Sequence, residues 1–141
     1  MTIATYPNVI HRQTKYCQSL ESIIESMGHA TNAELHSELR KIYPDVSATT
    51  VHRATARMAD RGTIGFAPTA LDGSMQYDAI TKPHDHFQCS SCGILRDTDI
   101  KDKVIPILES SIEGCSISGQ LTINGTCKAC MKGGNNENSV N

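Results

Sequence analysis

The sequence lacks tryptophan, has few aromatic residues and contains no long apolar run. A bilayer span needs roughly 20 consecutive apolar residues, so a transmembrane protein is excluded. Residues 1–12 show neither the apolar run nor the cleavage site of a signal peptide, and we therefore expect a cytoplasmic protein. The net charge is only −2 and each half of the chain is nearly balanced, so a nucleic-acid-binding surface would have to be local.

The composition also provides too few apolar residues for a large hydrophobic core. The 141 residues suit one ordinary domain or two very small ones, and the hydrophobic fraction is 38%. Small domains of this kind need a staple, such as a metal ion, a disulfide or a partner chain.

The cysteines supply a candidate staple. Four of the six form two CxxC pairs, Cys89/Cys92 and Cys127/Cys130. In a reducing compartment two such pairs predict a tetrahedral structural zinc site, because two intervening residues let a tight turn aim both sulfurs at one ion. Two redox pairs or unliganded thiols are the alternatives, but neither pair opens a thioredoxin-like helix. The other two cysteines, Cys17 and Cys115, are expected to pack as small hydrophobic residues.

The first half of the chain predicts three helices and a hairpin. The helices cover residues 16–27, a segment capped by Thr31 with Glu34 in a capping box, and a segment from Ser47 to about residue 61. Residues 63–68 and 74–80 predict two strands. This order is that of a winged helix-turn-helix. The inner face of the second helix is predicted to hold Leu35, Leu39 and Ile42.

The third predicted helix has two different faces. Val51, Ala54 and Met58 share the inward face. The opposite face carries polar and basic residues, namely Thr49, Thr50, Arg53 and Arg57. Such a face suits phosphate and base contacts in a major groove, although spaced arginines can also form an ordinary solvated surface. The preceding helix and the following hairpin favour DNA binding.

The second half predicts a small α+β unit. Strands are expected at 86–89, 94–97 and 115–123, and a helix at 101–110. Its core is too small to stand alone, so we expect a second copy of the chain to complete it. The predicted organisation is a winged-helix DNA-binding domain (1–80), a hinge (81–83), a zinc-stapled dimerisation and metal-sensing domain (84–131) and a disordered tail (132–141).

A second metal site is indicated beside the first CxxC pair. His84 and His86 alternate in an extended segment and therefore share one face. Asp78 and Asp97 lie nearby in sequence, whereas His29, in a predicted turn, would by itself be read as a surface residue. Three histidines and two aspartates would suit manganese or ferrous iron.

Together these motifs resemble the ferric uptake regulator family of bacterial metalloregulators over residues 12–130. The resemblance rests on Arg12-x-Thr14, Gly28-His29-Ala30-Thr31, Ala48-Thr49-Thr50-Val51-His52-Arg53, Tyr77-Asp78, His84-x-His86-Phe87-x-Cys89-x-x-Cys92-Gly93, Asp97 and Gly125-x-Cys127-x-x-Cys130.

The resemblance implies a homodimeric, metal-dependent transcriptional repressor that binds double-stranded operator DNA. It implies a structural Zn²⁺ and a regulatory Fe²⁺ or Mn²⁺ that closes the dimer on DNA. It places the regulatory ligands at His29, Asp78, His84, His86 and Asp97. Two aspartates in this set are similar to the peroxide-sensing branch, in which iron-bound histidines are oxidised. The absence of cysteine between residues 17 and 89 argues against zinc sensing, and Pro83 argues against nickel sensing.

Three residues depart from the family pattern in the DNA-binding half. His52 stands where the family usually has tyrosine and is assigned to the DNA-binding set, and Tyr16 and Cys17 replace Gln-Arg. The operator sequence is therefore not implied. The alternatives are a plain iron- or manganese-responsive uptake regulator and a zinc-stapled interaction module. An enzyme is not expected, since no HExxH or Ser-His-Asp pattern occurs.

Overall fold

A computed structural model describes residues 7–138 of the chain, with side chains described from residue 15 to residue 133. The chain divides into two compact units, one ending at Lys82 and the other beginning at Pro83. This division falls inside the segment that the sequence analysis assigns to the hinge. Within the described residues, no helix is both long enough and apolar enough to cross a membrane.

The first unit is a winged helix-turn-helix with three helices and one antiparallel sheet. Its elements are α1 (Pro7–Met27), β1 (His29–Thr31), α2 (Asn32–Arg40), α3 (Ala48–Asp60), β2 (Gly65–Ala67) and β3 (Gln76–Asp78). The sheet order is β1-β3-β2. The predicted hairpin is therefore confirmed, but the placement of His29 in a turn is wrong. Three residues are too few for an alternation pattern, and β1 exists because β3 pairs with it.

Local sequence signals set the helix boundaries in this unit. The Thr31 hydroxyl accepts from the Glu34 amide at 3.2 Å, while the Glu34 carboxylate accepts from the Thr31 amide at 3.4 Å, which confirms the capping box. Ser47 caps α3 in the same way, accepting from the Thr50 amide at 3.1 Å. Gly28 ends α1 with a φ of 80°, a left-handed conformation that glycine adopts without strain.

The core of the first unit lies between α1, α2, α3 and the sheet. Its buried residues are Leu20, Ile24, Ala30, Leu35, Leu39, Val46, Val51, Ala54, Met58, Ile64 and Tyr77. The predicted inward face of α3 is confirmed, and Cys17 packs against this core as expected. The prediction for Ile42 is wrong. It is 54% exposed, because α2 ends at Arg40 and Ile42 lies in the following turn.

The second unit is built on a mixed three-stranded sheet. Its elements are β4 (Asp85–Cys89), β5 (Leu95–Thr98), α4 (Lys101–Ser111), β6 (Thr122–Gly125) and α5 (Lys128–Asn138). The sheet order is β5-β4-β6, with β4 antiparallel to β5 and parallel to β6. The parallel pair requires a crossover connection, and α4 lies within it.

Three predictions for the second unit need correction. Residues 115–121 lie outside the last strand: the Ile117 amide donates to the Glu109 carboxylate at 2.9 Å, and the Leu121 amide donates to the buried Asp85 carboxylate at 2.8 Å. Cys115 is exposed and not packed. A helix, α5, runs through residues 132–138 where a disordered tail was expected, since the chain leaves the second CxxC pair already helical. Residues 139–141 lie outside the described part of the chain.

Candidate functional site

The four paired cysteines meet at one end of the second sheet. Cys89 ends β4, and its register partner on β6 is Gly125. The Ser90 amide donates to the Gly125 carbonyl at 2.7 Å, which holds the two CxxC turns side by side. The four sulfurs of Cys89, Cys92, Cys127 and Cys130 all lie within 4.8 Å of one another.

The spacing and the hydrogen bonds of these sulfurs fit a structural zinc ion. The Cys92 and Cys127 sulfurs are 3.7 Å apart. A tetrahedron with Zn–S bonds of about 2.3 Å has an edge of about 3.8 Å. The buried Cys89 sulfur accepts from three backbone amides, those of Cys127 at 3.3 Å, Ser91 at 3.4 Å and Cys92 at 3.5 Å. These amides stabilise a thiolate before any ion arrives.

The charge states of the cysteines also favour a bound cation. The backbone amides of Cys127 and then Cys92 lower the pKa of Cys89 to about 5. Hydrogen bonds to Cys127, Cys92 and Cys89 raise the pKa of Cys130 to about 12, because a further negative charge is disfavoured among neighbouring sulfurs. One thiolate therefore forms readily, whereas the complete set requires a positive ion to neutralise it.

A histidine–aspartate pair lies on the sheet of the first unit. His29 on β1 and Asp78 on β3 are register partners, and the His29 Nε2 lies 3.4 Å from the Asp78 Oδ2. The other Asp78 oxygen accepts from the Ile80 amide at 2.9 Å, which fixes the carboxylate. The missed strand β1 is what brings this pair together.

A second cluster of nitrogen and oxygen ligands lies on the sheet of the second unit. The Nε2 atoms of His84 and His86 are each 3.3 Å from the same Asp97 oxygen. His86 and Asp97 are register partners on β4 and β5. The two imidazole rings have centroids 4.5 Å apart, as their alternate positions in the sequence predict. Imidazole and carboxylate groups in this arrangement suit a divalent transition metal.

The outer face of α3 carries the residues predicted to contact DNA. Thr49, His52 and Arg53 are exposed, and Thr50 and Arg57 are half-buried. This face lies opposite the buried Val51 and Met58. Its exposed cations and hydroxyls are the groups that bind phosphates and base edges.

Sequence reasoning missed two polar residues beneath this face. Thr55 is completely buried, and its hydroxyl lies 2.7 Å from the Asn32 side-chain oxygen. Asn32 also reaches the imidazole of His52. Thr55 follows the inward Val51 by one helical turn, which was an available signal for burial. The position of Asn32, 20 residues from His52, depends on how α2 packs against α3.

A winged helix-turn-helix followed by a small unit with a Cys₄ centre and a His/Asp cluster defines a metal-responsive transcription regulator. A profile described as "Ferric uptake regulator family" matches residues 11–117. The chain belongs to the ferric uptake regulator family.

Relatives within this family include regulators named for different signals. The chain is 28% identical over 115 residues to the "Peroxide operon regulator" of Bacillus subtilis, covering 80% of this chain and 79% of the relative. It is 27% identical over 124 residues to the "Zinc uptake regulation protein" of Mycobacterium tuberculosis, covering 84% and 94%. The crystal structure of the Campylobacter jejuni peroxide stress regulator has the same fold, with a TM-score of 0.69, 22% identity and coverage of 92% and 99%.

Proposed function

We propose that this protein is a homodimeric, metal-dependent repressor that binds operator DNA in the cytoplasm and has no enzymatic activity. The observation that carries the proposal is the pair of His/Asp clusters, one on the sheet of each unit. His29 pairs with Asp78 in the first unit, and His84, His86 and Asp97 converge in the second.

DNA binding is assigned to α3. Arg53 and Arg57 lie on its outer face with Thr49, Thr50 and His52. Because each half of the chain is close to neutral, this local cationic face is where a duplex would be attracted. The winged-helix architecture supports placing such a helix in the major groove.

The Cys₄ cluster is assigned a structural Zn²⁺, and the two His/Asp clusters together are assigned one regulatory Fe²⁺ or Mn²⁺. An ion bound by residues of both units would favour a single orientation of the DNA-binding unit. Its binding energy would then differ between DNA-competent and incompetent states, which is the requirement for a switch. The donors are all nitrogen and oxygen, which suits these metals better than a thiolate-rich site would.

Homodimer formation is assigned to the second unit. Its buried side chains, among those described, all lie on β4: Asp85, His86, Gln88 and Cys89. Ile107, Leu108, Ile112 and Ile123 are exposed, Ile107 by 67%. A second copy covering these side chains would supply the apolar core that the second unit lacks on its own.

Hydrogen peroxide is proposed as the signal that releases DNA. The relative from Bacillus subtilis is named for peroxide, and both carboxylates of the assigned regulatory set belong to aspartate. Ferrous iron held by this set would supply the electrons that reduce peroxide next to the imidazoles of the site. His29 and His84 are the side chains expected to gain oxygen.

A gel shift with Mn²⁺ tests the metal-dependent step. The duplex is one enriched from a random library by the Mn²⁺-loaded protein. We expect His84→Ala to lose Mn²⁺-stimulated binding and to keep its zinc, because His84 lies outside the Cys₄ cluster. Metal-independent DNA binding by the parent protein would contradict the proposal.

Peptide mass mapping after peroxide treatment tests the signal. Iron-loaded protein should gain one oxygen on His29 or His84, whereas manganese-loaded protein should not. If peroxide instead oxidises the cysteines and leaves both histidines intact, a plain iron- or manganese-responsive regulator is the better account.

A further inference from the structure

His52 is exposed on the outer face of α3. Its Nδ1 lies 3.5 Å from the amide nitrogen of the Asn32 side chain. Asn32 is the first residue of α2, directly after the Thr31 cap. The imidazole of His52 is therefore contacted from a second helix.

The buried hydroxyl of Thr55 determines which end of the Asn32 amide faces His52. The Thr55 Oγ1 lies 2.7 Å from the Asn32 Oδ1 and also approaches the Val51 and His52 carbonyls at 3.0 and 3.1 Å. Those two carbonyls already accept amides within α3, whereas the Asn32 oxygen depends on the hydroxyl. With its oxygen held by Thr55, Asn32 turns its NH₂ group toward His52.

An NH₂ group can only donate, so the facing Nδ1 of His52 must accept with a lone pair. The single proton of the neutral ring then lies on Nε2, across the ring from Asn32. The exposed edge of His52 is consequently a hydrogen-bond donor. In the major groove guanine (O6 and N7), adenine (N7) and thymine (O4) each present an acceptor, whereas cytosine presents only a donor.

We propose that Asn32 and Thr55 hold His52 in its Nε2-protonated tautomer, and that His52 thereby reads an acceptor on a base edge and discriminates against cytosine at that position of the operator. The proposal rests on the assignment of α3 to DNA binding in the proposed function. In this arrangement Asn32 and Thr55 are positioning residues, and His52 is the residue that touches the base.

The tautomer can be measured without DNA. Long-range ¹H–¹⁵N correlation spectra of the zinc-containing protein, recorded where the His52 ring is neutral, distinguish the two tautomers. We expect the parent to be Nε2-protonated. Asn32→Asp replaces the donor by an acceptor and should shift His52 to the Nδ1-protonated form, and aspartate is well tolerated at the first turn of a helix. An Nδ1-protonated parent, or an unchanged tautomer in Asn32→Asp, would overturn the proposal.

Selection from a random duplex library by Mn²⁺-loaded protein tests the base preference. The parent should select against cytosine at one position of each half-site, and His52→Ala should lose about fivefold or more of that preference. Asn32→Ala should weaken the same preference while leaving the salt dependence of binding unchanged. Arg53→Ala is the control and should leave the base preference at the position read by His52 unchanged.

The selection also separates this proposal from the function on which it rests. If the parent enriches no duplex at all, DNA binding itself fails and the proposal fails with it. If the parent enriches an operator in which His52→Ala changes no base preference, DNA binding stands and the role of His52 as a base reader is wrong.

Discussion

Replacing Cys89 by serine should remove the zinc ion and unfold the second unit while leaving the first unit folded. Cys89 is completely buried and is the sulfur on which three backbone amides converge. A serine hydroxyl at this position is protonated at neutral pH and is a poor zinc ligand. Its shorter side chain also places the oxygen too far from the other three sulfurs.

The size of the effect follows from how little else stabilises the second unit. Among the described residues its only buried apolar side chain is Cys89 itself, whereas the first unit has a core of eleven. Structural zinc contributes about 10–16 kcal/mol in small domains. Whole domains are typically stable by only about 5–15 kcal/mol. Removal of the ion therefore costs more than the remaining contacts can supply.

Zinc analysis and two spectroscopic signals check this prediction. All four tyrosines lie at or before Tyr77, so tyrosine fluorescence reports on the first unit, and circular dichroism reports on both. Zinc should fall from one ion per chain to nearly none. On heating, part of the ellipticity should be lost at a lower temperature than in the parent, whereas the unfolding transition followed by tyrosine fluorescence should be unchanged. Cys115→Ser is the matched control, because Cys115 is exposed in the same unit and lies outside the cluster. A Cys89→Ser protein with stoichiometric zinc and parental melting would refute the reasoning.

Three further changes probe other parts of the molecule. The double variant Arg53→Ala/Arg57→Ala should bind operator more weakly, and the salt dependence of binding should fall by about one for each phosphate that is no longer neutralised. Fluorescence anisotropy measures both quantities. If neither changes, α3 does not contact the DNA. Leu39→Ala should lower the free energy of unfolding of the first unit by about 2–5 kcal/mol in urea titrations, since Leu39 is fully buried. A decrease of less than about 1 kcal/mol would contradict its place in the core. Asp78→Asn should reduce Mn²⁺-stimulated DNA binding with zinc content unchanged, and full stimulation would exclude Asp78 from the regulatory site.

Short-range signals in the sequence predicted most of the first unit. The capping box of Thr31 and Glu34 and the inward face through Val51 and Met58 depend on residues three or four apart. What the sequence did not reveal depends on contacts between distant segments. Strand β1 is too short for an alternation pattern and is defined by β3, which lies nearly 50 residues later. The Asn32–His52 contact likewise requires two helices to pack.

The ligand residues were predictable because their spacing reflects chemistry and not packing. Two CxxC pairs predicted a Cys₄ cluster, and the structure brings those four sulfurs together. His84 and His86 were placed on one face by strand alternation, and their rings are neighbours. The last strand was less predictable: the Leu121 amide donates to the buried Asp85 carboxylate, a long-range contact that no local pattern indicates.

The central claim is that one regulatory ion per chain, distinct from the structural zinc, permits DNA binding. The most direct measurement is a Mn²⁺ titration of the zinc-containing protein, in which operator anisotropy and bound metal are recorded together. The account predicts that DNA binding rises with the first equivalent of Mn²⁺ per chain while zinc stays constant. Full DNA binding before any Mn²⁺ is added, or a rise only as zinc is displaced, would contradict it.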